Sequence, residues 1–438
     1  MNLNELKNRP ATADGGPCEL LGQLFQAAVD AVDPLRVVPP HLPSRPKGRT
    51  LVFGAGKASA RMALALERHW SGQLEDVQGL VVTRYGHGEP CSRIEIVEAG
   101  HPMPDDAGAE AARRMLEMAR GLSADDLVIF LISGGGSALL SLPAEGVAPE
   151  EKRRINGALL KCGAAIQEIN CVRKQLSAVK GGRLALACHP ARVLTLVISD
   201  VPGDDAAVVA SGPSVAQHSS GDHALAILAR YGIAVSAPLE SLLRDPARAA
   251  PRAADPRLKG HRVVVVATAQ QALQAAAATA REHGYTPLVL GDSIEGESRE
   301  IAIMHAGIAR QIVRHGQPLA GPCVILSGGE TTVTVRGGGR GGRNAEFLLS
   351  LAIALDGAEG IHAIACDTDG IDGTEDNAGA VLRPCTLRRA RELGLDAKAR
   401  LADNDGYSFF QALDDLLITG PTRTNVNDFR AILIGAET

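Results

Sequence analysis

"RTLVFGAGKASARMALALE" (residues 49–67) decides how the chain folds. "TLVF" is an unbroken apolar run of strand length, the mark of a strand buried on both faces. "GAG" interrupts it, and "SARMALALE" then carries apolar residues at helical spacing. Strand, glycine turn and helix in that order open a βαβ unit, which requires a parallel sheet. The habit recurs in "GLVVT" (79–83), "DLVIFLI" (126–132) and "RVLTLVIS" (192–199). In the second half "HRVVVVAT", "TPLVLG", "CVILSGG", "TTVTV" and "IHAIACD" repeat it. An α/β architecture follows, and its ligands belong at the carboxyl ends of the strands.

A chain of 438 residues is too long for one ordinary core, so two domains are expected. Their boundary is placed near 235–260, within "SAPLESLLRDPARAAPRAADPRLKGH" (236–261), which has no strand signal. A helical hairpin inside one domain is the alternative there. A net charge of -5, scattered basic residues and 3% aromatics argue against nucleic acid and anionic membranes as partners. The eight cysteines form no C-x-x-C pair, so free thiols in a reducing cytoplasm are expected. "MNLNELKNRPATADGG" lacks a signal-peptide core, and the longest apolar runs are too short to cross a bilayer.

Gly54-Ala55-Gly56-Lys57-Ala58-Ser59 is an incomplete dinucleotide fingerprint, because Ser59 holds the place of the third glycine. The next strand ends "VVTRYG", where an NAD site wants Asp or Glu, although Arg84 could meet a 2′-phosphate. A Walker A loop fails as well, with Leu51 and Ala58 at required positions. What survives is a turn at a helix start with a cation beside it, suited to a phosphate. Ser133-Gly134-Gly135-Gly136-Ser137 follows the most apolar strand; its glycines let a ligand approach the backbone, and its serines add donors. A tight βα turn would need one glycine, not three. "NCVRKQLSAVKGGRLA" (170–185) spaces Arg173, Lys174, Ser177 and Lys180 along a helix and ends it at Gly181-Gly182. Such a basic face is usually only solvated. Asp200 and Asp204 in "SDVPGDD" (199–205) follow a strand and could hold Mg²⁺, as ordinary turn chemistry also could explain them.

In the second half, Ser327-Gly328-Gly329-Glu330 follows a strand. "RGGGRGGRNAEFLLSLA" (336–352) brings Arg340, Arg343, Asn344 and Glu346 to a helix start, and Arg matches carboxylate or phosphate bidentately. "ACDTDGIDGTEDNAGA" (365–380) clusters Asp367, Asp369, Asp372, Glu375 and Asp376 without an EF-hand pattern. These carboxylates suit Mg²⁺ or a base for a hydroxyl. His87 and His101 lie in turns and receive no lead role. No G-x-S-x-G elbow is present.

Taken together, ten segments resemble the glycerate 2-kinases with a C-terminal MOFRL domain, a family often labelled hydroxypyruvate reductases. They are Gly54–Ala58, "GHPMPD" (100–105), "SGGGSAL" (133–139), "VRKQLSAVKGGRLA" (172–185), "SDVPGD" (199–204), "SGP" (211–213), "SGGETTV" (327–333), "GGRNAEF" (341–347), "DTDGIDG" (367–373) and "TGPTRTNVND" (419–428). The resemblance implies a Rossmann-like parallel-sheet N-terminal kinase domain, 1–240, and a smaller α/β domain, 261–438, with the MOFRL region at about 320–435. It implies ATP- and Mg²⁺-dependent phosphorylation of D-glycerate at its 2-hydroxyl, in a cleft between the domains. Lys57 matches the family's essential lysine and Arg343 the MOFRL arginine thought to act with it; Asp200 joins them as a catalytic candidate. Gly54, Gly56, Ser133, Gly134, Gly135, Gly136, Ser137, Lys180, Gly328 and Gly329 would bind nucleotide or phosphate. Asn344, Glu346 and Asp369 would contact substrate, and Asp200, Asp204 and Asp367 the metal. Ala345 and Gly406 stand where many relatives carry Gln and Ser. The alternatives are an NAD(P)H-dependent hydroxypyruvate reductase and a non-catalytic nucleotide or sugar-acid binder. A homodimer is left open.

Overall fold

The computed structural model describes residues 15–216, 219–252 and 254–435. These divide into two compact units, one of residues 37–266 and one that joins the N-terminal helix to the residues from 267 onward.

The first unit is built on β1 (Thr50–Ala55), β2 (Val77–Arg84), β3 (Ile94–Ala99), β4 (Leu127–Ile132), β5 (Arg192–Ile198) and β6 (Arg262–Ala267), in the order β3-β2-β1-β4-β5-β6. The pairings of β1 with β2 and β4, of β2 with β3 and of β4 with β5 are parallel. Every residue of β1 and β4 is buried, as a strand covered on both faces must be. Phe53 and Phe130 pack 5.8 Å apart between them. Ala55 is level with Ile132 in the register, so the turns after β1 and β4 leave the sheet side by side. Beyond β1 the chain proceeds to β2 on one side, and beyond β4 to β5 on the other. Connections that diverge from neighbouring strands open a crevice, and this is where such sheets bind ligands.

Part of the stretch at 236–261 is a packed helix. Ser236 caps the helix Ala237–Arg244, which buries Leu239 and Leu243 against Ala224, Leu228, Leu176 and Ile155. β6, expected in the second half, completes the first sheet, and the two units divide at 266/267.

The second unit contains β7 (Thr286–Gly291), β8 (Gly296–Glu297), β9 (Cys323–Gly329), β10 (Thr331–Thr332), β11 (Ile361–Asp367), β12 (Gly379–Leu382), β13 (Leu416–Leu417) and β14 (Asp428–Ile434). Its main sheet has the order β13-β12-β11-β14-β9-β7. Here the expectation of a parallel sheet fails. Only β7 and β9 run parallel, whereas β14 lies antiparallel between β11 and β9. The connection from β11 to β12 is too short for a helical crossover, which forces an antiparallel pair. "TTVTV" shortens to two paired residues, with Val335 exposed.

The helix Gly15–Ala31 also departs from the expected 1–240 domain. Its buried stripe of Leu21, Leu24, Phe25 and Ala28 faces the helix Ala269–Glu282 and strands β11 and β14. Phe25 and Phe429 stand 5.8 Å apart, and the Thr424 hydroxyl donates to the Val32 carbonyl at 2.8 Å. Each such apolar side chain contributes about 1.5–3 kcal/mol when buried, enough to fix the helix to this unit. No helix among the described residues is long and apolar enough to cross a membrane.

His305 sits in the core of the second unit. A carbonyl can only accept, so Nδ1 carries the proton shared with Ile301 (2.8 Å), and Nε2 accepts from the Ser327 hydroxyl (3.0 Å). Burial pushes this imidazole down to about 4. The folded value lies below the ordinary one, so the stabilisation is complete above about pH 6.5 and is lost as pH falls towards 4. The loss amounts to about 3 kcal/mol. Urea unfolding at pH 7.5 and 4.5 should show this slope in the wild type and a shallower one in His305→Gln.

Candidate active site

In the first unit the structure gathers five of the sequence motifs into one knot. Gly56 has φ +144°, and a Cβ there would stand 2.1 Å from Ser133 Oγ and 2.5 Å from its carbonyl oxygen. The two turns are laced together: Lys57 N–H donates to Gly134 O (2.9 Å), Ala58 N–H to Ser133 Oγ (3.0 Å) and Ser133 N–H to Ala55 O (3.2 Å). Ser59 lies 3.3 Å from the same Ser133 hydroxyl, which explains a serine in place of the third glycine. Gly56→Ala should cost about 2–4 kcal/mol by urea unfolding. Adding Ser133→Ala should not restore it, because the carbonyl remains in the way.

This lacing corrects one expectation. The amides of residues 56–59 do not form an anion cradle, since Gly56 and Ser59 N–H are also bonded, to Val82 O and Gly56 O. The N–H groups of Gly134 and Gly135, by contrast, make no main-chain bond among the described residues. Gly135 is left-handed (φ +81°), and a Cβ on it would lie 3.1 Å from His101 Nε2 and 3.2 Å from Lys57 Cγ. The Lys57 stem and His101 thus flank the serine–glycine turn. His101 carried no role in the sequence reading, although "GHPMPD" surrounds it; Asp105 of that segment caps the helix Asp106–Met118.

Lys180 is buried, and its ammonium donates to Ser137 O (2.6 Å) and Ser137 Oγ (3.0 Å). Ser137 Oγ is 2.8 Å from Ser211 Oγ of the "SGP" motif. Gly181 and Gly182 N–H donate to Ser211 O and Gly212 O. Lys180 is therefore a brace for the turn at 133–137 rather than an open phosphate ligand. Asp200 lies half-buried just beyond β5, and Asp204 follows with φ +55°.

The second unit holds a buried ionic network. Arg343 opens the helix Arg343–Leu355, donating from Nε to Asp428 (2.6 Å) and from Nη2 to Asp367 (2.7 Å). Its Nη1 makes only a 3.5 Å contact with Glu330. Burial opposes the Arg343 charge, but Asp428, Asp367 and Glu330 outweigh it and hold the guanidinium protonated. Asp428 also binds Arg430 (2.5 Å), which is fully buried beneath it. Asp372 caps the helix from a distance, accepting Asn344 N–H (3.0 Å) and Ala345 N–H (2.9 Å). Burial pushes the Asp372 carboxyl up to about 6 against those two bonds. A Cβ on Gly342 would strike this carboxylate at 2.3 Å, which accounts for that glycine.

Several proposed contacts in this unit are internal. Glu346 accepts from Arg299 (2.9 and 2.6 Å) and Asn404 (2.8 Å) and is buried, so it faces a salt bridge and not a substrate. Asn344 is buried, and its amide donates to Asp372 and Asp428. Asp369 is buried in a turn, accepting Ile371 N–H. Gly328 and Gly329 make room for the chain at 292–294: a Cβ on Gly329 would meet Ile294 N at 2.2 Å. Asp367 is paired with Arg343, and among the described residues no three His, Cys, Asp or Glu side chains form a metal-holding group. Asp428, Arg430 and Arg299 were not singled out by the sequence reading. Only the end of "TGPTRTNVND" signalled the first of them.

Comparison with known proteins finds matches along both halves of the chain. Residues 20–244 match the DUF4147 model, described as a domain of unknown function, and residues 323–428 the MOFRL family model. The chain is 52% identical to a protein of Agrobacterium vitis with a provisional hydroxypyruvate reductase name, over 95% of this chain and 94% of that one. It is 41% identical to D-glycerate 2-kinase of Thermotoga maritima, over 93% of this chain and 95% of that one. A crystal structure of glycerate kinase from T. maritima matches with a TM-score of 0.85 at 40% identity, covering 94% of this chain and 98% of that one. With both halves matched and relatives this close along nearly its whole length, the chain belongs to the family that couples a DUF4147 domain to a MOFRL domain, the family of the glycerate kinases.

Proposed function

We propose that the protein is a D-glycerate 2-kinase, transferring the γ-phosphoryl group of ATP to the 2-hydroxyl of D-glycerate to give 2-phosphoglycerate and ADP. The observation that carries this reading is the Lys57 turn locked onto the serine–glycine turn where the connections from β1 and β4 diverge. Phosphoryl transfer needs positioning and positive charge more than covalent chemistry, and this turn supplies both. The unbonded N–H groups of Gly134 and Gly135 fit a phosphate oxygen, and Lys57 beside them meets the charge on the transferring group. In the second unit Arg343 keeps Nη1 as the edge left for a ligand.

Mg²⁺ needs only one or two carboxylates when phosphate oxygens complete its shell. Asp200, just beyond β5, and Asp204 in the following turn would hold it; bound there, the metal would neutralise charge on the phosphates. Asp367 is left out of this set because Arg343 already pairs it. An NADH-dependent reading lacks an acidic ribose contact, since β2 ends in Arg84, which would suit only the 2′-phosphate of NADPH.

The decisive experiment offers the purified protein D-glycerate with Mg²⁺ and ATP, and separately hydroxypyruvate with NADH or NADPH. ADP release that depends on D-glycerate is expected. NADH or NADPH oxidation without ADP release would sink the kinase reading in favour of the reductase.

A further inference from the structure

The basic stretch at 170–185 is not the solvated helix face its spacing suggested. Lys174 and Lys180 are buried and Arg173 is half-buried, and Lys152 from the helix Pro149–Lys161 is buried as well. Their contacts are unusual for buried cations. Lys180 donates to Ser137, Lys152 to Ser141 Oγ (3.3 Å) and Lys174 to the Ala207 carbonyl (2.7 Å). All these acceptors are uncharged. None of the four cations forms an ion pair among the described residues, and the Arg173 guanidinium makes no hydrogen bond there at all.

The fold gathers them deliberately. After the serine–glycine turn the chain runs through Leu142 and Ala144, which bond to Ala178 N–H and Leu176 O just beyond the helix Ile166–Gln175. Pro143 and Ser177 form a bridge in the same place. This crossing fixes the last turn of the basic helix against the outer end of the 133–137 turn. The electrostatics bear out the crowding. Burial and then Lys152, Arg173 and Lys174 hold the Lys180 ammonium well below the usual lysine range. Burial and the Arg173 charge push Lys152 down to about 8. Asp205 offsets part of the burial cost of Lys174, but no carboxylate does so for Lys152, Arg173 or Lys180. Buried like charges without counter-ions are costly unless an anion joins them.

We propose that Arg173, backed by Lys152 and Lys180, is an oxyanion subsite on the Ser137 side of the serine–glycine turn that takes the carboxylate of the acid substrate. The two sides of the turn then divide the labour. The phosphate is served by Lys57 and the Gly134 and Gly135 amides, whose side must tolerate charge in motion. The Ser137 side offers fixed, partly desolvated cations and a guanidinium fork, which match a small permanent anion bidentately. An acid seated there keeps its neighbouring hydroxyl close to the turn that Lys57 flanks. This assignment rests on the kinase reading for the identity of the acid.

The test uses Arg173→Met and Arg173→Lys in the full-length protein. In Arg173→Met the KM for D-glycerate should rise at least 30-fold, with the KM for ATP changing less than threefold; Arg173→Lys should recover part of the loss. Without ligand, Arg173→Met should melt at the wild-type temperature or above it, because a repelling charge is removed; a structural residue would lower it. A rise in the KM for ATP instead would reassign the subsite to nucleotide phosphate, and unchanged KM values for both would overturn it. Calorimetric titration of D-glycerate without ATP separates this from the kinase reading. If the wild type releases no ADP yet binds D-glycerate, and Arg173→Met does not, the kinase reading fails while the subsite stands. If neither protein binds D-glycerate, the subsite falls.

Discussion

Lys57→Ala is expected to lower kcat for ADP release by about 10²–10³, the loss typical of removing one preorganised charge-stabilising group. The KM values should move far less. The fold should survive, because the bonds that lock the turn run from the Lys57 main-chain N–H to Gly134 O and from Ala58 to Ser133, and alanine keeps both. Thermal unfolding should therefore shift little. Lys57→Arg is a poor rescue, since the stem already lies against Gly135 and a bulkier head would displace the turn. A Lys57→Ala variant with kcat within threefold of wild type would remove this side chain from the chemistry.

Arg343→Met should fail in two ways at once. It strips the counter-charge from Asp428 and Asp367, both buried, and breaking a buried pair costs about 3–5 kcal/mol. Activity should vanish with it, but lost folding would obscure the reason. Arg343→Lys separates the two effects. An ammonium preserves charge balance beside the aspartates, so urea unfolding should retain most of the wild-type stability. It cannot make the Nε and Nη2 bonds together while presenting a third edge to a ligand, so kcat should still fall by about 10²-fold. A stable Arg343→Lys enzyme with wild-type kcat would reduce this arginine to a structural part.

Other positions show why local reading stopped where it did. The serine–glycine turn and Lys57 stood out because strand, glycine and helix follow one another within a few residues, and their geometry is set by neighbours in the chain. Asp372 looked like one carboxylate among five; its purpose as a cap depends on Asn344, 28 residues away. Glu346 resembled a substrate contact until Arg299 and Asn404 closed around it. Gly328 and Gly329 resembled a phosphate loop, yet the obstacles a side chain would meet there are the backbone at 428 and at 294.

Hydrophobic periodicity and the order of the motifs were enough for the α/β class, the parallel first sheet and the kinase family, since both are written in contiguous residues. Long-range packing alone decided that the helix Gly15–Ala31 joins the second unit, that β14 enters antiparallel between β11 and β9, and that Lys152 and Lys180 are buried without an ion-pair partner among the described residues. The physical reason is the same in each case. Chain neighbours fix backbone geometry and hydrophobic pattern, whereas burial and charge balance depend on which distant segments arrive to cover a side chain.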